Sequence, residues 1–143
     1  MFRTALVSLS AFAALAGAAG AADLTVDVGG IRDARGAIMV ALHAPKDGVA
    51  FPDMAGAVAA QWRMAEPGTL RFVFPGLKPG RYAVAVYHDE NGNQKLDTNP
   101  LGMPTEGYAF SKDAKGYAGP PSFDAAAVEV GDEAVATSAT LSY

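Results

Sequence analysis

The chain is expected to fold as an all-β protein, an antiparallel β-sandwich of about seven strands with one long ordered loop. Three observations point there. Short runs alternate apolar and polar residues, as in Leu24-Thr25-Val26-Asp27-Val28, the period of a strand with one buried face. Glycine (16) and proline (9) interrupt the chain at short intervals, as in folds made of strands and turns. Neither a long amphipathic helical pattern nor an internal repeat is present.

The elements follow in order. After the strand at Leu24–Val28, the polar run Arg32-Asp33-Ala34-Arg35-Gly36 reads as a turn. Ala37 to His43 is continuously apolar and suits a central strand. Residues 44 to 56 hold two prolines and two glycines and read as a loop, with a helical turn near Met54. Ala59 to Ala65, around Trp62, is a weaker strand, and Trp62 and Met39 are expected in the core. Leu70, Phe72 and Phe74 alternate with Thr69, Arg71 and Val73, a further strand. Pro79-Gly80 then makes a tight connection, proline presetting one turn position and glycine accepting a positive φ at the next. In the strand that follows, Tyr82, Val84 and Val86 share a face with His88 at its end, while Ala83, Ala85 and Tyr87 face the other way. From Asp89 to Asp124 no periodicity is sustained. Unstructured connections longer than about 12–15 residues are uncommon in compact domains. Tyr108, Phe110, Tyr117 and Phe123 make this stretch too aromatic for disorder. It is expected to be an ordered excursion anchored by those rings. Residues 126 to 130 and 137 to 143 complete the strands.

Residues 1–21 read as a signal peptide: Arg3 precedes an apolar stretch from Ala5 to Ala16, and Ala19-Gly20-Ala21 fits the small-residue cleavage pattern. The stretch is shorter than the ~20 residues that span a bilayer, so no transmembrane segment is expected after cleavage. Residues 22–143 then form a single domain, periplasmic or secreted. It contains no cysteine, which excludes disulfides, thiol catalysis and cysteine metal sites. Without the leader, ten basic residues face fifteen acidic ones; an acidic chain of this kind lacks the electrostatic footprint of a nucleic-acid binder.

One segment carries chemistry. Asp89-Glu90-Asn91-Gly92-Asn93-Gln94-Lys95-Leu96-Asp97 follows a strand directly and places oxygen-bearing side chains at every second position. Calcium takes about six to eight oxygen ligands, and an EF-hand loop supplies them from positions 1, 3, 5, 7 and 9 with a glutamate at 12. Counted from Asp89, the oxygens of Asp89, Asn91, Asn93 and Asp97 fall at positions 1, 3, 5 and 9, and the Lys95 backbone carbonyl at 7. The pattern departs from an EF-hand at Gln94, which stands where glycine is usual, and at Pro100, which stands where the closing glutamate belongs. That last carboxylate is left to Asp97 itself, Glu106, Asp113 or Asp124. The competing reading is a plain Asp/Asn/Gly turn, which backbone preferences alone favour.

The run His88 to Asn93 with Lys95-Leu96-Asp97, then Leu101-Gly102-Met103-Pro104, Glu106-Gly107-Tyr108-Ala109-Phe110-Ser111 and Gly119-Pro120-Pro121-Ser122-Phe123, resembles the secreted bacterial family catalogued as domain of unknown function 2141. The resemblance covers about Leu24 to Tyr143 and is densest between Leu77 and Phe123. It implies an extracytoplasmic protein with a transthyretin-like or immunoglobulin-like sandwich, and it brings no catalytic residue.

The remaining candidates are weak. His88 and His43 both end predicted strands, but two histidines without a third ligand are a poor zinc or copper signal, and structural roles are expected of both. Ser111 and Ser122 lie in no nucleophile elbow. The expected function is a non-enzymatic binding or structural module whose calcium loop orders the excursion for an envelope protein or ligand. The alternatives are a metal-dependent hydrolase using His88 as base, and a small-ligand carrier with a cavity between the sheets.

Overall fold

The computed structural model describes residues 20–143. The expected leader lies almost wholly outside the described residues. Two sheets face each other. One has the order β4-β1-β8, the other β3-β2-β5-β6, with β7 pairing on β5.

In the smaller sheet, β1 (Ala22–Ile31) pairs antiparallel with β4 (Gly68–Leu77) and parallel with β8 (Val135–Thr140). The sandwich is therefore antiparallel except at this one pair. In the larger sheet, β2 (Ala37–His43) lies between β3 (Ala57–Met64) and β5 (Gly80–Asp89). The second half of β5 pairs with β6 (Tyr108–Phe110), and its first residues with β7 (Val128–Val130). The excursion thus contributes a strand of its own. A short helix, α1 (Phe123–Ala126), capped by Ser122, ends the excursion, and the strand expected from Ala126 begins at Val128.

Alternation builds the core. Leu24, Val26 and Val28 of β1, Ile38, Val40 and Leu42 of β2, Phe72 and Phe74 of β4, and Val84 and Val86 of β5 all turn inward and are buried. Complete burial of such side chains contributes about 1.5–3 kcal/mol each. Trp62 is not among them. It is 62% exposed, because β3 is an edge strand and Trp62 falls on the outer phase with Val58 and Met64. Its neighbour across the ladder, Met39, is on the same outer face and only partly covered. The opposite phase of β3 closes the seam between the sheets: Gln61 Nε2 donates to Val73 O at 2.7 Å and Arg63 Nη1 to Arg71 O at 3.1 Å. These side chains cap the free edge of β4, which would otherwise present unpaired carbonyls.

The connection from β4 to β5 passes from one sheet to the other. It consists of Lys78 and Pro79, where the sequence placed it, but Gly80 is not left-handed: the positive φ falls at Gly76 (65°) inside β4, where the register with β1 shifts. Among the described residues no helix is long and apolar enough to cross a membrane.

The turn between β1 and β2 approaches the end of β5 closely. Gly36 has φ 64°, and a Cβ placed there would stand 1.8 Å from the carbonyl oxygen of Asp89. Gly92 also has positive φ (74°) but faces open space. Gly36→Ala should therefore destabilise the fold by more than about 3 kcal/mol, and Gly92→Ala by only about 1–2 kcal/mol. Urea unfolding of the two variants measures the difference, and equal losses would refute the close approach.

Candidate functional site

β5 ends in His88 and Asp89, Glu90 follows, and the loop of interest begins there. His88 and Asp89 are buried (0% and 2% exposed). The Asp89 carboxylate turns back under the loop: Oδ1 accepts from Asn93 N at 3.1 Å and Oδ2 from Gln94 N at 2.8 Å. Asn91 Oδ1 and Asn93 Oδ1 each accept from the backbone two residues on, at 3.2 Å. Such short-range bonds are why Asn and Asp favour turns. Gln94 has φ 63°. It adopts the left-handed backbone that glycine provides at the sixth position of an EF-hand loop, so the departure at this position is one of residue type and not of chain path.

Asp97 closes the loop. Asn93 Nδ2 donates to its Oδ1 at 2.7 Å and Asn91 Nδ2 donates to its Oδ2. Two amides and one carboxylate thus converge at the exposed surface of the loop, with the Asp89 carboxylate beneath. Lys95 is exposed on the same loop.

Of the four candidates for the closing carboxylate, Glu106 is the one that comes to the loop from the far part of the excursion. It is 5% exposed; Oε1 accepts from Glu90 N at 3.0 Å and Oε2 from Asp97 N at 3.1 Å. It therefore ties both ends of the loop together. Asp113 is elsewhere, accepting from Thr140 N and Ser138 Oγ, and the Thr140 N–H holds its pKa below the usual carboxylate range. Asp124 pairs with Arg81 at 2.9 Å. Among the described residues no three His, Cys, Asp or Glu side chains gather as a metal cluster. The loop's oxygens come from amides and backbone as much as from carboxylates.

Sequence reasoning missed the network behind the loop. Arg32 and Arg35 both bond the Glu90 carboxylate, and Arg35 also bonds Asp33. The Arg35 side chain and N–H bring the exposed Asp33 carboxyl down to about 2. His88 Nε2 lies 2.6 Å from Arg35 O, and Nδ1 lies 2.8 Å from Tyr143 Oη. A carbonyl only accepts, so Nε2 carries the proton and Nδ1 accepts from the tyrosine hydroxyl. Arg32 N donates to the same hydroxyl at 3.2 Å, and its guanidinium sits 4.1 Å over the Tyr143 ring. Gly107 leaves room for that ring, since a Cβ there would come within 2.5 Å of it. The one local signal for this network was the mixed charge of Arg32-Asp33-Ala34-Arg35.

The two histidines lie apart. His43 and His88 occupy opposite ends of the β2–β5 pair, opposite Ala83 and Ile38 respectively. His43 is 2% exposed and its Nε2 has no hydrogen-bond partner. Ser111, the other buried polar candidate, accepts from Val84 N at 2.9 Å and donates to Ala126 O, a structural role. Of the four excursion aromatics, Phe110, Phe123 and Tyr108 pack into a second apolar cluster with Phe51. Tyr117 is fully exposed and anchors nothing.

A family model described as uncharacterized protein conserved in bacteria (DUF2141) matches residues 26–138. No curated protein and no solved structure matches the chain. With most of its length covered, the chain belongs to that family.

Two measurements test this local structure. Glu106→Gln replaces one acceptor oxygen by a donor facing a backbone N–H, and should lower stability by roughly 1–3 kcal/mol in urea unfolding; no loss would mean that Glu106 does not hold the loop ends. Burial pushes the His43 imidazole below its ordinary value of 6.5, opposed in part by the Asp53 carboxylate facing it. The unfolded chain therefore takes up that proton first. The stability is complete above about pH 6.5 and falls as the pH drops from there toward the depressed folded value. His43→Phe should flatten the decline in urea midpoint between pH 7 and 5, and an unchanged slope would place the titrating group elsewhere.

Proposed function

We propose that this family member is a non-enzymatic binding or structural module of the cell envelope whose Asp89–Asp97 loop takes up calcium. The observation that carries the reading is the convergence of Asn91, Asn93 and Asp97 on one point above the buried Asp89. There the Asp97 carboxylate meets two amide donors. The two ends of an asparagine amide exchange places by rotation of the terminal group. Turning both amides gives up the bonds from Asn93 N and Lys95 N to their oxygens and brings those oxygens and the Asp97 carboxylate to a common centre, where a cation's coordination would offset the loss. The Lys95 carbonyl supplies a neutral oxygen, and Asp89 a second carboxylate. The left-handed Gln94 supports the same reading, because it gives the loop the path of a calcium loop without the usual glycine.

The ion's work in this reading is to hold the start of the excursion. Ordering each backbone residue costs roughly 1–2 kcal/mol, and residues 90 to 107 make few ladder bonds, among them the isolated bridge of Thr98 to Pro104. An ion with so few carboxylates binds with modest affinity, on the order of 10⁻⁵–10⁻³ M, as in extracellular modules.

The hydrolase reading rests on His88 as base. Both its ring nitrogens are engaged and the side chain is fully buried, which favours the module. The carrier reading rests on a cavity behind Trp62 and Phe72. Phe72 fills the space between the sheets and Trp62 points away from it, so the inter-sheet core offers that reading no support.

Thermal unfolding of the chain in calcium and in chelator tests the proposal. At a hundredfold excess over the dissociation constant, binding adds about 2.7 kcal/mol, a rise in midpoint of roughly 5–10 °C for a domain of this size. Asp89→Ala should abolish the rise. Because Asp89 also receives two backbone N–H groups, Asp97→Asn is the cleaner variant: it should keep the midpoint in chelator within a few degrees yet lose the response. Identical midpoints with and without calcium would leave a plain turn.

A further inference from the structure

The end of the larger sheet opposite the Asp89 loop carries a second site. The segment of residues 44 to 56 folds back over the outer face of β2 and β5 and encloses a pocket of about 190 Å³ with Phe123 of α1. Phe51, Phe123 and His43 give it aromatic walls on part of its surface. The Phe51 ring meets His43 edge-on at 5.1 Å and Phe123 edge-on at 6.0 Å. His43 is among the lining residues; it is buried, and its Nε2 has no hydrogen-bond partner in the protein. Buried polar groups in native proteins are nearly always hydrogen-bonded, so an orphan beside a pocket points to a partner from outside the chain.

We propose that this pocket binds a neutral single-ring compound bearing a hydroxyl group, its ring against Phe51 and Phe123 and its hydroxyl on the His43 imidazole. Volume sets the size: a cavity of about 150 Å³ admits benzene, so this one admits a ring with one small substituent. The aromatic walls favour a ring packed edge-to-face or offset. A hydroxyl both donates and accepts, and so suits either nitrogen of a neutral imidazole. The charge of the rim excludes an anion: Asp47 and Asp53 outnumber Lys46, whose ammonium is engaged with Ala55 O at 3.0 Å. A cation, which only donates, would serve the imidazole in one tautomer alone, whereas a hydroxyl serves both.

Gly56 makes the test sharp. It lines the pocket, its backbone is not left-handed, and a Cβ there would stand 3.6 Å from His43 Nδ1 and 3.4 Å from Val49 Cγ1. An alanine methyl is thus accommodated without backbone overlap while it takes up room beside the imidazole.

The experiment is an NMR titration of the chain, its histidine rings isotope-labelled, with phenol and separately with benzene, in chelator so that the outcome is independent of the calcium loop. Phenol should shift the His43 ring resonances saturably with a dissociation constant in or below the low millimolar range, and benzene should bind about tenfold or more weakly. Gly56→Ala should weaken phenol by about tenfold with the thermal midpoint held. His43→Phe should bring phenol and benzene to similar affinity. No saturable shift of His43, equal binding of the two probes to the unaltered chain, or unchanged phenol binding in Gly56→Ala would each overturn the assignment.

Discussion

Two buried carboxylates stand in for a β-ladder at the end of β5, and the excursion depends on them. Asp89 and Glu106 each accept two backbone N–H groups from the loop between them. A buried N–H without a partner costs about 1–3 kcal/mol, and these four, in part-buried bonds, have no strand to pair with. Charged acceptors make stronger bonds than carbonyls, so two side chains can hold what would otherwise need a neighbouring strand. The arrangement also explains why the β1–β2 turn is drawn so near. Gly36 packs on the Asp89 carbonyl, and Arg32 and Arg35 neutralise Glu90 where it would add a third negative charge.

The excursion has a second anchor of opposite chemistry. Past Glu106 it runs along β5 as β6 and then drops Phe110 and Phe123 onto Phe51, with Ser111 bridging Val84 N and Ala126 O. One end is fixed by charge and hydrogen bonds, the other by aromatic packing. A cation at Asp97 would act on the first alone. A ligand beside Phe51 would act on the second alone. The shared element is β5, whose Asp89 end and Ala83 end belong to the two sites.

Legibility in the sequence followed the physics that is local. The period-2 pattern placed β1, β4 and β5, because a strand with one buried face must alternate. Ala37–His43 was readable to its ends, since a central strand is apolar on both faces. Trp62 was misread because alternation tells which residues share a face and not which face is covered. β3 lies at an edge, so its outer phase stays in solvent. The single parallel pair, β1 with β8, joins residues more than a hundred positions apart, and no local pattern encodes such a partner. At the loop, the spacing of Asp89, Asn91, Asn93 and Asp97 was visible, while Tyr143 closing on His88 came from the far end of the chain.

The fixed tautomer of His88 bears on what this end of the molecule can do. Its Nε2 proton is committed to Arg35 O and its Nδ1 lone pair to the Tyr143 hydroxyl, so both ring nitrogens are engaged. Arg32 lies over the Tyr143 ring and pairs with Glu90, and Asp33 Oδ1 stands 3.9 Å from His88 Nε2. A catalytic base exchanges its proton in each cycle. Here each ring nitrogen is held in a bond that seats Tyr143 or the β1–β2 turn. The histidine next to the loop therefore ties the end of β5 to Tyr143 and to the β1–β2 turn, an arrangement that suits the binding module proposed above.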